Sequence, residues 1–267
     1  HGFKNIGRQF PEASIGWYRK KISIPKEDLG RRIHIAFDGV FRNSTVWFNG
    51  HYLGIHPSGY LGFEYDVTDY INYGGENTIA VRVDAMMEEG WFYEGAGIYR
   101  HVWMNKTNPL HVPADGTFVS TTKLNNNIAE LASKVSVINE GGKIQNFKIV
   151  QTVIDAAGKS IATATIDNLN LRPMETKEFE TKLSVANPNL WSVDNPYLHQ
   201  MLTNIYAGTE LVDTQTTTFG IRTLRFDANK GFFLNGKHLK IKGTNNHQDH
   251  AGVGAAMPDG LQDFRIA

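Results

Sequence analysis

The chain has 267 residues, with 27 Lys and Arg balanced by 27 Asp and Glu and no Cys. This length exceeds that of a typical single domain, so two or more domains are expected. The charge balance argues against a nucleic-acid or acidic-membrane binder, and the lack of Cys excludes disulfides and thiolate metal sites. No apolar run approaches the length of a membrane span.

The first third of the sequence predicts short antiparallel strands. Apolar residues alternate with polar ones in RRIHIAFDG and in NTIAVRVDA, the period expected of half-buried strands. Asn49-Gly50 stands between two apolar stretches, and this pair favours the positive φ values of a tight hairpin turn. The pattern therefore predicts a β-sandwich over residues 1–111.

A second region follows a predicted linker that begins at His111 and ends at Gly116. Its short alternating segments are SKVSVINEGG, NFKIVQTVID, KSIATATI, TKEFETKLSV and HQMLTNIYAG. They recur at roughly the 8–12 residue spacing that is typical of an immunoglobulin-like sandwich. We expect this domain to cover residues 112–220.

The pattern changes again over residues 221–267. Asn235-Gly236 predicts a second hairpin, and the run Leu239 to Gly243 leads into a Gly-rich loop that is dense in His. LQDFRIA then predicts the first turns of a helix. A strand, a loop and a helix in this order are typical of one βα unit of a barrel.

Four segments carry a resemblance to a known family: GWYRKKISIP, GAGIYR, LWSVDNPYL and FLNGKHLKIKG. In this order they resemble glycoside hydrolase family 2, which contains β-galactosidases, β-glucuronidases and β-mannosidases. The resemblance implies a mainly β chain with a jelly-roll sandwich (1–111), an immunoglobulin-like sandwich (112–220) and the first strand of a truncated (β/α)₈ barrel (221–267).

The resemblance implies a retaining hydrolase of terminal β-D-galactosides or related β-glycosides. Such enzymes place two carboxyl groups about 5 Å apart, at the carboxyl ends of barrel strands. In the family both groups are Glu on later strands, and no Glu follows Glu210 here. We therefore expect no catalytic residue in this chain and no activity from it alone. A non-catalytic carbohydrate-binding module and a β-glucuronidase or β-mannosidase are the alternatives.

Two loops carry candidate substrate-binding residues. His247 matches the His of the family's Asn-Arg-His-Glu stretch, and its imidazole can donate to and accept from sugar hydroxyls; Asp249 follows it, although Asn246 and Gln248 depart from the pattern. Trp91 and Glu94 offer an aromatic face and a carboxylate to a pyranose. The alternatives are turn hydrogen bonds in the first loop and packing between domains in the second.

The remaining candidates favour structural roles. We expect Arg100 to form a buried ion pair, and we expect four tryptophans in the core or at domain interfaces: Trp17, Trp47, Trp103 and Trp191. His247 and His250 with one carboxylate fall short of a metal ligand set. We expect no cofactor, a β-glycoside or oligosaccharide substrate, and no nucleic-acid or membrane partner, while homo-oligomerisation stays open.

Overall fold

Strands dominate the computed structural model, which describes residues 15–86, 96–125, 127–246, 250, 253–254 and 256–267. The chain divides into two compact units, residues 1–106 with 244–267 and residues 107–243. In the described residues no helix has the length and apolar character needed to cross a bilayer. The domain bounds expected from the sequence stay a prediction.

The first unit is a β-sandwich of antiparallel strands. Its sheets have the orders β1-β7-β4-β5, β6-β2-β9 and β3-β8. The strands are β1 (Ile15–Ile24), β2 (Arg32–Phe37), β3 (Val40–Phe41), β4 (Ser44–Phe48), β5 (His51–His56), β6 (Phe63–Asp66), β7 (Gly75–Asp84), β8 (Gly97–Ile98) and β9 (Val102–Thr107). Short 3₁₀ turns cover Lys26–Asp28 and Thr68–Tyr70.

Alternate residues of these strands form one continuous apolar cluster. On β2 and β7 every second side chain is buried, which confirms the half-buried strands that the period-two pattern predicts. The hairpin prediction at Asn49-Gly50 is also confirmed, with φ values of 49° and 84° between β4 and β5. The cluster consists of Ile24, Ile33, Ile35, Phe37, Val40, Val46, Phe48, Val67, Ile79, Val81 and Val83.

The second unit contains two four-stranded antiparallel sheets. In one, β12 pairs with β15 along one edge and with β10 and β11 along the other; the second has the order β14-β13-β16-β17. The strands are β10 (Leu110–His111), β11 (Thr117–Asn125), β12 (Ile128–Asn139), β13 (Gln145–Ile154), β14 (Ser160–Leu171), β15 (Glu175–Ala186), β16 (His199–Ala207) and β17 (Glu210–Phe219). The five predicted segments thus lie on β12 to β16.

A polar layer divides the core of this second unit. Along β12, β13 and β16, buried polar residues interrupt the inward-facing apolar series, and apolar clusters lie on either side. The Gln151 amide donates to the Ser133 and Thr203 hydroxyls, each at 3.0 Å, and the Thr181 hydroxyl donates to its amide oxygen. We call these residues, Ser133, Gln151, Thr181 and Thr203, the polar layer.

Residues 221–267, the third region expected from the sequence, contain three short strands and one helix among their described residues. The strands β18 (Leu224–Asp227), β19 (Gly231–Leu234) and β20 (Lys237–His238) pair in that order, and Asn235-Gly236 forms the predicted hairpin, with φ values of 50° and 76°. Helix α1 (Asp259–Ile266) confirms the helix predicted from LQDFRIA. The run 239–246 has no strand pairing, and no closed barrel is formed by the described residues. In a closed barrel each strand pairs with the barrel strands on both sides of it, and such neighbours are not among the described residues.

Candidate functional site

All four predicted substrate-binding residues, Trp91, Glu94, His247 and Asp249, lie outside the described residues. The structure does describe the segments on both sides of residues 87–95, namely the end of β7 and the stretch from Ala96 to Arg100. These flanks fix the positions at which the described chain stops before residue 87 and resumes after residue 95. The described residues on both sides of residues 87–95 are therefore considered first.

On the entry side, Asp84 at the end of β7 organises the backbone. Its carboxylate accepts a hydrogen bond from the Met86 backbone N–H at 3.1 Å and another from the Arg82 guanidinium at 2.8 Å. These two contacts lower the pKa of Asp84 below its usual value. The group thus stays ionised near neutral pH and acts as an anchor for the backbone, not as a proton donor.

On the exit side, Gly97 is required by both backbone geometry and space. Its φ is +115°, a conformation that residues with a side chain rarely adopt. A Cβ built at Gly97 would lie 2.1 Å from the Tyr18 hydroxyl oxygen. The glycine of GAGIYR therefore lets the returning chain pack directly on the tyrosine of β1.

Tyr99 and Arg100 follow this glycine and have different environments. The Tyr99 ring packs against Gly39 so closely that a Cβ built at Gly39 would lie 2.8 Å from it. Burial raises the pKa of the Tyr99 phenol. The Arg100 guanidinium lies 5.1 Å from the centre of the Tyr99 ring, and its side chain is exposed. The expectation of a buried ion pair at Arg100 is therefore wrong, because stacking on a neighbouring ring leaves the charge in water.

Two of the four tryptophans that were expected in the core or at domain interfaces do not lie in the core. Trp17 is 56% exposed and Trp103 is 51% exposed. Both occupy positions where the strand turns its side chains outward, and the Trp103 indole N–H donates to the Asp38 carboxylate at 2.9 Å. Trp191 is half-buried, with the Arg222 guanidinium 4.4 Å from its ring centre and Gly220 packed against it.

A groove in the second unit offers little for catalysis. Its volume is about 510 Å³, and it lies between the start of β11 and the end of β17. Among the described residues that line it, Arg222 is the one charged group, and its guanidinium is stacked on Trp191. A glycosidase needs a pair of carboxyl groups, so this groove lacks the groups for that reaction.

Both described flanks of residues 87–95 are held by specific contacts. Asp84 holds the backbone on one side, and the contact of Gly97 with Tyr18 and that of Tyr99 with Gly39 hold it on the other. The motif GAGIYR was recognised in the sequence as one of the segments that carry the family resemblance. The partners at Tyr18 and Gly39 were missed, because nothing in the local sequence links residues so far apart.

Two family models match this chain over most of its length. The model described as glycosyl hydrolases family 2, sugar binding domain, matches residues 5–109, and the model described as glycosyl hydrolases family 2 matches residues 111–222. The chain belongs to glycoside hydrolase family 2. The family expected from the sequence motifs is thereby confirmed, and so is the β-sandwich fold.

Individual relatives show the same likeness. Beta-galactosidase BoGH2A of Bacteroides ovatus is 40% identical over 244 residues, which cover 91% of this chain and 29% of the relative. A family 2 crystal structure from Bacteroides cellulosilyticus is 35% identical with a TM-score of 0.89, over 94% of this chain and 35% of that one. A family 2 beta-glucuronidase structure is 29% identical with a TM-score of 0.87, over 94% and 29%. The chain thus spans about a third of the length of these relatives.

Proposed function

We propose that this chain is the N-terminal part of a retaining glycoside hydrolase that cleaves terminal β-D-galactosides or related β-glycosides. The observation that carries the proposal is the order of its parts. Two sandwiches matched by family 2 models are followed by a short hairpin sheet, a run without assigned strand structure over residues 239–246, and a helix. Together they span about a third of proteins named as glycosidases.

The catalytic pair belongs to a longer protein in this proposal. No Glu follows Glu210 in the chain, and the Asp84 carboxylate beside the 87–95 segment is held ionised by its hydrogen bonds. A retaining mechanism needs one carboxyl group as acid and base and a second as nucleophile, about 5 Å apart. In this proposal the chain contributes substrate contacts near such a pair and the backbone contacts that hold the segment carrying them.

The sugar is proposed as galactose, and glucuronic acid is the second candidate. The 40% identical relative is named as a beta-galactosidase, while one of the similar solved structures is named as a beta-glucuronidase. Since a glucuronide carries a carboxylate that a galactoside lacks, a panel of the two aryl glycosides separates the candidates.

The test compares the 267-residue chain with the longer protein whose N-terminal part it forms. We expect the longer protein to hydrolyse an aryl β-D-galactoside with retained configuration at the anomeric carbon, observed by NMR, and the chain alone to release no phenol. Turnover by the chain alone would overturn the assignment of the catalytic pair. An inactive longer protein that still binds galactosides would favour the carbohydrate-binding module instead.

We propose that Trp91, Glu94, His247 and Asp249 contact the sugar. Their support is the predicted chemistry of the four side chains and, for Trp91 and Glu94, the fixed flanks of their loop. In the longer protein, Trp91→Ala is expected to raise KM for the aryl glycoside by about tenfold. Trp103→Ala is the matched control, since this tryptophan is also exposed and lies outside the proposed subsite, and the KM of this variant is expected to be unchanged.

A further inference from the structure

Asn235 connects the three short strands β18, β19 and β20, which we call the hairpin sheet, to the second sandwich. It lies in the turn between β19 and β20. Its amide N–H donates to the Trp191 carbonyl at 3.0 Å, and its amide oxygen accepts from the Thr223 N–H at 2.9 Å. One amide group thus joins the turn to two segments that are distant from it in the sequence.

The Trp191 end of this connection is attached to the core of the sandwich. Trp191 lies in the loop between β15 and β16, and its N–H donates to the Ile221 carbonyl at 2.9 Å. Ile221 is fully buried in one of the two apolar clusters of the second unit. A Cβ built at Gly220 would lie 2.7 Å from the Trp191 Cβ, so the loop packs directly on the backbone there. The carbonyl that accepts from Asn235 is therefore held at a fixed position on the sandwich.

The hairpin sheet has few other polar connections to the sandwich. Among the described residues, the bond from Asn235 to Trp191 is the one side-chain hydrogen bond between residues 224–238 and residues 107–219. Thr223 lies on the connection from β17 to β18, and its carbonyl also accepts from the Asn235 backbone N–H at 2.9 Å. Removal of one amide would thus leave the sheet joined to the sandwich mainly through the chain itself.

The other Asn-Gly turn uses its amide differently. The Asn49 N–H groups donate to the Tyr70 carbonyl at 2.7 Å and to the Asn77 amide oxygen at 2.8 Å. The Asn49 amide oxygen accepts from the Thr78 N–H at 2.8 Å. All of these partners lie within the first sandwich, so that side chain stabilises the sandwich to which it belongs. The side chain of Asn235 instead joins two separate sheets.

We propose that Asn235 is a positioning residue of the hydrolase proposed above, and this inference rests on that function. The chain leaves the hairpin sheet at Leu239, whose N–H donates to the Phe232 carbonyl at 2.9 Å. The proposed sugar contacts His247 and Asp249 follow in the sequence. Holding the sheet on the sandwich fixes the point from which this segment starts. Small displacements of groups that bind the substrate are enough to change the kinetics of an enzyme.

Two substitutions separate the turn from the amide. Gly and Asp both tolerate the positive φ of 50° found at Asn235. Asn235→Gly keeps the turn and removes both side-chain hydrogen bonds. Asn235→Asp keeps an oxygen for the Thr223 N–H but places a second oxygen against the Trp191 carbonyl, and two acceptors form no hydrogen bond. If only the turn mattered, both variants would behave like the unchanged chain.

The first test measures hydrogen exchange in the 267-residue chain by mass spectrometry, peptide by peptide. We expect both Asn235 variants to raise the exchange rate of peptides from β18 to β20 roughly tenfold and to leave peptides from β12 and β13 unchanged. Asn229→Gly is the matched control, because Asn229 is exposed in the other turn of the same sheet, and its exchange is expected to match that of the unchanged chain.

The second test measures the hydrolysis of aryl glycosides by the longer protein. We expect both Asn235 variants to raise KM roughly fivefold and to leave kcat within about twofold. A variant that only unfolds more readily loses active molecules, which lowers kcat without changing KM. Asn49→Gly is the control for lost stability, because it removes the side-chain hydrogen bonds of the same kind of turn in the first sandwich.

Each measurement has an outcome that contradicts the role of Asn235. Unchanged exchange of β18 to β20 would overturn it, and so would faster exchange throughout the second sandwich, because Asn235 would then stabilise the sandwich as a whole. An active longer protein whose KM is unchanged by Asn235→Gly would overturn the positioning role and leave the hydrolase proposal standing. A longer protein that cleaves neither aryl glycoside would overturn the proposed function, and the positioning role with it.

Discussion

The two sandwich units close their cores with different chemistry. In the first unit the inward side chains of both faces form one continuous apolar cluster. In the second the polar layer lies between two apolar clusters, and Gln151 links residues of both sheets. The two sandwiches are therefore destabilised by different kinds of substitution. Truncation leaves a cavity in the first unit, whereas removal of a polar partner leaves buried hydrogen-bonding groups unpaired in the second.

The largest effect is expected from Phe48→Ala in the first unit. Phe48 is fully buried, so the variant leaves a large cavity, and we expect the free energy of unfolding to fall by about 4 kcal/mol. Hydrogen exchange measured by mass spectrometry, peptide by peptide, should show the loss in the first unit alone. Phe226→Ala is the control, since Phe226 is 76% exposed. A similar cost for both variants would contradict the comparison.

A smaller effect is expected from Gln151→Leu in the second unit. The substitution replaces the amide by an apolar group of similar size and leaves three buried hydroxyls without their partner, at a cost of about 2–3 kcal/mol. Denaturant unfolding measures this loss, and Gln200→Leu at an exposed position of β16 is the matched control.

A combined variant sharpens the same point. Replacing the whole polar layer by apolar residues, with Ser133→Ala, Thr181→Val and Thr203→Val added to Gln151→Leu, removes the unpaired groups. We expect most of the lost stability to return. If the combined variant is less stable than Gln151→Leu alone, the cost arises from packing and not from unpaired hydrogen bonds.

The two units should also differ in their response to acid. His199, at the start of β16, is buried, and burial lowers the pKa of its imidazole. A lowered pKa in the folded state means that the unfolded chain takes up the proton first. The second unit should therefore be fully stabilised above about pH 6.5 and lose stability as the pH falls below that value.

Urea unfolding between about pH 5 and pH 8 measures this dependence. His199→Phe is expected to flatten it in the second unit, while His238→Phe, at an exposed position of β20, is expected to leave it unchanged. A profile that His199→Phe does not alter would assign the acid sensitivity to other groups.

The smallest effect is expected from Trp17→Ala. Its ring lies on the outer face of the sheet whose inner face carries Phe48, and it is 56% exposed. We expect a change in the free energy of unfolding of less than about 1 kcal/mol. Denaturant unfolding beside Phe48→Ala compares the two faces of one sheet, and a loss as large as that of Phe48→Ala would place the ring in the structural core.

Much of the fold followed from local pattern. Period-two alternation predicted β2, β7 and the five strand segments of the second unit, and the two Asn-Gly pairs predicted their hairpins. These signals are local, because strand period and turn geometry depend on neighbouring residues. The polar layer had a signal as well, since Gln151 falls in the inward series of Phe147, Ile149 and Val153.

The environments of the tryptophans and of Arg100 could not be obtained in this way. On β1, Trp17 and Tyr18 are adjacent aromatic residues that point to opposite faces, and the pattern alone does not say which face is covered. Arg100 stacks on Tyr99 instead of entering an ion pair. The substrate contacts proposed for Trp91 and His247 came from resemblance and from side-chain chemistry, and they stay predictions.

The polar layer has a consequence for how the second unit assembles. When a strand slides by two residues, the same side chains still point inward, so an all-apolar interior hardly distinguishes the shifted alignment from the native one. In the native alignment Gln151 is paired with Thr203 and Ser133 with Thr181. A two-residue slip would place each polar group against an apolar side chain. The polar layer thus makes the native strand alignment more favourable than one shifted by two residues.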